Sequence, residues 1–137
     1  MKLQQKGFTL IELLVVIAII GLLSTLAVVS LSTARQKSRD TRRVADIKQI
    51  QSALEMYYND QQTYPLTANV TSGSAIATSG VTYMSKMPAD PGSNSYTYVG
   101  STTAATYTLT YKLEGAMTGI TNSGIGLSTA TPAGISL

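Results

Sequence analysis

Glu12 is the residue whose type and setting most clearly require a chemical explanation. It is the only charged side chain between Phe8 and Leu31, in a stretch made mostly of Leu, Ile, Val and Ala. On insertion scales, a carboxylate at the centre of a membrane segment costs roughly 2.5–3.5 kcal/mol, and less near an end. Glu12 therefore either sits at the depth of the lipid headgroups or has an ionic partner.

Groups for catalysis are scarce in the rest of the chain. The sequence has no cysteine and no histidine, which removes thiolate nucleophiles, cysteine-based metal sites and the commonest general base. The seven acidic residues are scattered along the chain and form no paired motif. We predict that the protein is not an enzyme and has no cofactor.

The apolar stretch around Glu12 is typical of a membrane-spanning helix. Residues 13–31 contain nothing more polar than Ser and Thr, and as a helix they would extend about 28 Å, most of a hydrocarbon core. A dense basic cluster follows the stretch at Arg35, Lys37, Arg39, Arg42 and Arg43. We interpret this cluster as a solvated collar that pairs with nearby carboxylates, and leave contact with neighbouring subunits, anionic lipid or DNA open.

The helix is predicted to continue as an amphipathic segment over residues 32–60. Apolar residues recur there at helical spacings of three and four. The stripe consists of Val44, Ile47, Ile50, Leu54 and Tyr57, widened by Ala45, Ala53 and Tyr58. Pro65 cannot continue a helix, so the helix should end near Asn59–Asp60.

The C-terminal region, residues 61–137, has the pattern of antiparallel strands. Residues 106–113 alternate strictly, with Tyr107, Leu109, Tyr111 and Leu113 on the apolar face. Shorter strands are expected at 81–84, 95–99 and, less clearly patterned, 120–127. The predicted fold class is α+β: a long N-terminal helix whose apolar half protrudes and whose amphipathic half packs on a small antiparallel sheet.

Residues 6–12, KGFTLIE, resemble the class III signal of type IV prepilins and pseudopilins. In that family a prepilin peptidase cuts after the glycine, here Gly7, and methylates the new amino terminus, here Phe8. The fifth mature residue is a glutamate, here Glu12. The resemblance implies a cleaved leader at 1–7, a transmembrane and filament-core helix at 8–31, its amphipathic continuation at 32–60 and a globular β-region at 61–137.

The resemblance also implies an ionic role for Glu12 in assembly. Cleavage would create a positive amine at Phe8, and Glu12 of an incoming subunit would pair with the amine of its neighbour. An unpaired charge in a bundle of apolar helices is costly, so this pair would set the axial register. The implied partners are copies of the chain in a helical filament, the prepilin peptidase, an assembly platform with its ATPase, and inner-membrane lipid before assembly.

Three functions remain open at this point. The first is a type IV pilus subunit for adhesion, twitching motility or DNA uptake, which moves from the inner membrane to an extracellular pilus. The alternative is a major pseudopilin of a type II secretion system, which forms a periplasmic pseudopilus. The third is a single-pass, membrane-anchored binding module that never polymerises.

The segment from Pro88 to Pro91, Pro-Ala-Asp-Pro, resembles an element of the major pseudopilins, in which a calcium-binding loop follows. Asp90 and Asn94 are the candidate calcium ligands here, and calcium is expected only under the pseudopilin alternative. Asp90 is the single carboxylate of this loop, whereas calcium usually takes six to eight oxygens. Ordinary turn chemistry is the other interpretation of the segment.

Overall fold

A computed structural model of the protein describes residues 7–100, 106–115, 127–131 and 134–136, the last two ranges as backbone only. The chain forms two compact units, residues up to Arg35 and residues from Gln36 onward. The elements in chain order are α1 (Leu10–Gln61), a short 3-10 helix (Thr67–Asn69), β1 (Ile76–Thr78), β2 (Val81–Met84), β3 (Thr97–Gly100), β4 (Tyr107–Lys112), β5 (Leu127–Thr131) and β6 (Gly134–Ser136).

The first unit is a helical segment with no packing partner of its own. Every described side chain from Gly7 to Arg35 is exposed, including Leu22 at 64% and Val28 at 68%. Within the described residues, α1 is the one helix that is long and apolar enough to cross a membrane, judged by length and composition. Its apolar surface therefore requires a non-aqueous environment.

In the second unit, α1 buries the predicted apolar stripe. Ile47, Ile50 and Leu54 are fully buried, and Val44 and Tyr57 pack against them while partly exposed. The helix ends at Gln61, one residue beyond the expected Asn59–Asp60.

Two details of this helix differ from or add to the sequence prediction. Ala45, which was expected to widen the stripe, is exposed, so the buried face is narrower than predicted. Gln62 adopts φ 56°, a left-handed conformation that commonly terminates helices.

Two antiparallel sheets complete the second unit and confirm the α+β class. A four-stranded meander has the order β3-β4-β5-β6, and β1 pairs with β2 in a separate hairpin. The predicted face of β4 is confirmed, because Tyr107, Leu109, Tyr111 and Leu113 are all buried. The strand expected at 120–127 lies outside the described residues except for its last position, where β5 begins.

Tyrosine rings form much of the interface between helix and sheet. The Tyr64 ring meets the Tyr107 ring edge-on, with centroids 4.7 Å apart. The Tyr64 hydroxyl donates to the Glu55 carboxylate at 2.9 Å, and the Tyr98 hydroxyl donates to the Pro65 carbonyl at 2.7 Å. The phenols of Tyr64 and Tyr98 thus pack their rings in the core and still find acceptors. Their hydroxyls link the loop after α1 to the helix and β3 to that loop.

Gly100 lies against the loop that follows α1 and has no room for a side chain. A Cβ built there would lie 2.2 Å from the Pro65 carbonyl oxygen and 2.8 Å from the Tyr98 hydroxyl oxygen. We expect Gly100→Ala to lower the free energy of unfolding by about 1–3 kcal/mol, because backbone has to move. Denaturant titration of the full chain in detergent measures this.

Val99→Ala is the control for Gly100→Ala, because Val99 is half-exposed at 53% in the same strand. It should change the free energy of unfolding by less than about 1 kcal/mol. Equal stability of Gly100→Ala and the wild type would contradict the close approach of Gly100 to Pro65.

Candidate functional site

The predicted processing site lies in an accessible, non-helical segment. Gly7 and Phe8 precede the first residue of α1, and Phe8 is 85% exposed. A Cβ at Gly7 would meet nothing within 4 Å. The Gly7–Phe8 bond is therefore open to a peptidase that binds an extended chain.

Glu12 has an intramolecular partner that the sequence reasoning missed. Its carboxylate accepts the Thr9 backbone N–H at 2.8 Å and the Thr9 hydroxyl at 2.6 Å. The Thr9 hydroxyl oxygen in turn accepts the Glu12 N–H at 3.3 Å. This reciprocal arrangement is a capping box, for which Thr-x-x-Glu is the sequence signal. Both residues lie on the mature side of Gly7, so the box would survive cleavage.

In the second unit, the guanidinium of Arg43 is completely buried among three carboxylates. Its Nε and Nη2 donate to both oxygens of Asp90 at 2.6 and 2.9 Å. Its Nη1 contacts Asp40 at 2.7 Å, and its Nη2 contacts Glu114 at 2.7 Å. At Arg43 the predicted pairing with a nearby carboxylate, Asp40, is confirmed, whereas the predicted solvated setting is wrong, because the side chain is buried.

A second set of contacts completes what we call the Arg43 cluster: Arg39, Asp40, Arg43, Asp90 and Glu114. Arg39 forms a bidentate pair with the Glu114 carboxylate, one contact being Nε to Oε1 at 2.9 Å. Asp40 accepts the backbone N–H groups of Glu114 and Gly115 at 3.0 and 2.9 Å. The cluster thus joins α1 to the residues that follow β4.

The loop from Asp90 to Asn94 is shaped around the Asp90 carboxylate. The Gly92 N–H donates to Asp90 Oδ1 at 2.7 Å. A Cβ at Gly92 would lie 2.9 Å from Arg43 Nη2 and 3.2 Å from Asp90 Oδ1. Glycine here lets the loop approach the guanidinium closely.

The charges of the Arg43 cluster stabilise one another. Hydrogen bonds from Arg39, and then from Arg43, lower the pKa of Glu114 to about 2. The Arg43 hydrogen bonds are also the main cause of the lowered pKa of Asp90. Two guanidinium groups face three carboxylates, so the cluster has one net negative charge. The backbone N–H of Gly92 donates to Asp90, and those of Glu114 and Gly115 donate to Asp40, which stabilises this charge.

Of the two candidate calcium ligands, Asp90 is already paired with Arg43 in this arrangement. Both of its oxygens accept from the guanidinium, and Oδ1 also accepts the Gly92 N–H. The donor set present at this loop does not fit the oxygen cage that calcium prefers.

Three members of the basic cluster are solvated, as the sequence predicted, but lack the predicted carboxylate partners within the described residues. Arg35, Lys37 and Arg42 are exposed, and none of them pairs with a carboxylate among the described residues.

Acid should weaken the fold through Glu114 and Asp90. Because the pKa of Glu114 falls from 4.5 to about 2 on folding, the unfolded chain binds this proton first. The stabilisation is present above pH 4.5 and is lost as the pH falls toward 2. The lowered pKa of Asp90 acts in the same direction. We expect the melting temperature of the full chain to fall across this pH range.

Glu114→Gln should make the melting temperature less dependent on pH in this window. The matched control is Glu55→Gln, because the new amide oxygen can still accept the Tyr64 hydroxyl. It should leave the acid dependence assigned to Glu114 in place. Identical pH profiles for Glu114→Gln and the wild type would contradict the assignment.

Comparison with known protein families gives two matches that together cover most of the chain. Residues 2–28 match the prokaryotic N-terminal methylation motif. Residues 30–117 match the family described as type II secretion system (T2SS), protein G. The first match contains Gly7, Phe8 and Glu12, and the second contains the whole Arg43 cluster.

Similar curated proteins include several named type II secretion system core protein G. The protein from Escherichia coli strain K12 is 36% identical over 105 residues, 70% of this chain and 72% of that protein. The one from Pseudomonas aeruginosa is 34% identical over 77% of this chain and 81% of its own length. The one from Vibrio cholerae is 34% identical over 70% and 71%. No solved structure matches the chain.

Proposed function

Because this chain belongs to the type II secretion system protein G family, we propose that it is a major pseudopilin, a structural subunit rather than an enzyme. The observation that carries the proposal is the order of the two matches, a prepilin-type methylation motif at 2–28 followed directly by a protein G domain at 30–117. Such a subunit would enter the inner membrane as a single-pass precursor and then polymerise into a periplasmic pseudopilus.

The exposed apolar surface of the first unit supports this route. Large apolar side chains from Leu10 to Leu31 are half or more exposed with few exceptions. Burying one such side chain is worth about 1.5–3 kcal/mol, so leaving all of them in water is prohibitive. Lipid covers this surface before assembly, and the helices of neighbouring copies cover it in the filament.

The capping box supports a two-state role for Glu12. In a single subunit, the Thr9 donors satisfy its carboxylate and reduce the cost of carrying a charge into an apolar segment. In the filament, the amine created at Phe8 of a neighbour offers an ionic partner. Glu12 would then exchange its hydrogen bonds to Thr9 for an ion pair with the neighbour's amine. This pair would stabilise one axial register of the subunits over others.

The type IV pilus, the first function inferred from the sequence, shares the leader, the helix and the filament with the pseudopilus. The protein G matches favour the pseudopilin alternative over it. A binding module that never polymerises would need neither Gly7 cleavage nor methylation of Phe8.

Mass spectrometry of the native protein tests processing. We expect the amino terminus to be N-methylated Phe8, because a prepilin peptidase cuts after Gly7 and methylates the residue it exposes. Gly7→Ala is expected to slow processing and Val29→Ala to leave it unchanged. An intact Met1, or cleavage at another bond, would remove the pseudopilin proposal.

Filament yield from variants at Glu12 tests assembly. Glu12→Ala should be inserted and processed normally, yet yield at least about tenfold fewer filaments, because the intersubunit ion pair is lost. Thr9→Ala separates the two roles of the carboxylate, since it removes the cap and keeps the charge. It should retain most of the filament yield. A wild-type yield from Glu12→Ala would exclude the pairing role.

A further inference from the structure

The strongest remaining feature is the cation at the centre of the Arg43 cluster. We infer that the Arg43 guanidinium takes the place of a bound metal ion in holding the loop from Asp90 to Asn94, so that this loop closes on the helix without calcium. The inference goes beyond the proposed function, since it holds for a pilus and a pseudopilus alike. It departs from the calcium-binding loop that the resemblance to pseudopilins implies.

The Asp90 carboxylate is committed to the guanidinium. Nε and Nη2 of Arg43 meet its two oxygens at 2.6 and 2.9 Å, the fork-on-fork geometry that arginine and carboxylate favour. Oδ1 also accepts the Gly92 N–H at 2.7 Å. A calcium ion would have to displace these donors, because it needs the same lone pairs at 2.3–2.6 Å.

The other carboxylates surround the guanidinium and do not converge on a common point. Asp40 lies at Nη1, Glu114 lies at Nη2, and Asp90 spans Nε and Nη2. Within the described ranges, no group of three acidic side chains is arranged to hold a metal ion. The three carboxylates are arranged around the edge of a planar guanidinium. A spherical metal ion would instead require their oxygens to converge on one point.

Charge balance also disfavours a divalent metal ion beside Arg43. Arginine stays protonated throughout the accessible pH range, and the side chains of Arg43 and Asp90 have no solvent exposure. With Arg39 included, the cluster keeps only one uncompensated negative charge. A divalent ion at Asp90 would leave an excess of positive charge beside a buried guanidinium, which is costly in a low dielectric.

Arg43 also connects separate segments of the chain, as a structural metal ion would. It joins α1, the loop at Asp90 and the segment at Glu114, which are separate in sequence and belong to the same unit. Gly92 allows the loop to close directly on the guanidinium, since a Cβ there would lie 2.9 Å from Nη2. Because the Arg43 guanidinium is part of the chain, it is present whenever these segments come into contact.

Thermal unfolding of the full chain in detergent, in millimolar calcium chloride and in excess EGTA, tests the inference. We expect the wild-type melting temperature to change by less than about 1 °C between the two conditions. Arg43→Met, which keeps an unbranched apolar stem and removes the guanidinium, should lower it by about 8 °C or more under both conditions, because Asp40 and Asp90 lose their counterion and Glu114 loses one of two.

Arg42→Met is the matched control, because Arg42 is adjacent, exposed and without an ion pair among the described residues. It should shift the melting temperature by no more than about 2 °C. If Arg43→Met does not fold, Arg43→Lys, which keeps the charge and loses the fork, should give an intermediate melting temperature. A wild-type protein that loses several degrees in EGTA, or an Arg43→Met variant as stable as Arg42→Met, would overturn the inference.

Discussion

A buried charge has to be neutralised within the protein, and the globular unit is organised by this constraint at Arg43. Its guanidinium is fully buried, and an uncompensated charge at such depth costs several kcal/mol. Asp40, Asp90 and Glu114 must therefore stay in contact with it. The loop after β2 and the end of β4 are held to the helix by this requirement, in addition to the apolar contacts around Ile47 and Leu109.

The sequence predicts the parts of the fold that depend on local periodicity. Helical spacing identified Ile47, Ile50 and Leu54 as core, and strict alternation identified the buried face of β4. It could not identify the Arg43 cluster, because Arg43 and Asp90 are 47 residues apart. The alternation of period two and the spacing of three and four say nothing about which distant carboxylate a given arginine meets.

Most of the candidate site at the amino terminus could be predicted from the sequence, because its residues are close together in the chain. Gly7, Phe8 and Glu12 lie within one short motif, so a resemblance to a known signal could identify them together. The capping box of Thr9 and Glu12 is equally local and carries a recognised signature. The apolar setting of Glu12 indicated either headgroup depth or an ionic partner, whereas its nearest donor lies three residues away, at Thr9.

The Arg43 guanidinium and the amine proposed at Phe8 are both cations that the protein itself would supply, and they have different physical consequences. The Arg43 guanidinium cannot be removed by a chelator or by a change in ion concentration, and its charge does not vary with pH in any ordinary medium. Only its acidic partners can be neutralised, as the lowered pKa values of Glu114 and Asp90 indicate. The amine proposed at Phe8 would differ, because cleavage would create it and Glu12 of a neighbouring subunit would be its partner. Under this proposal, the fold of the globular unit would be independent of processing and assembly would depend on it, so a precursor could complete its globular unit and still be unable to polymerise.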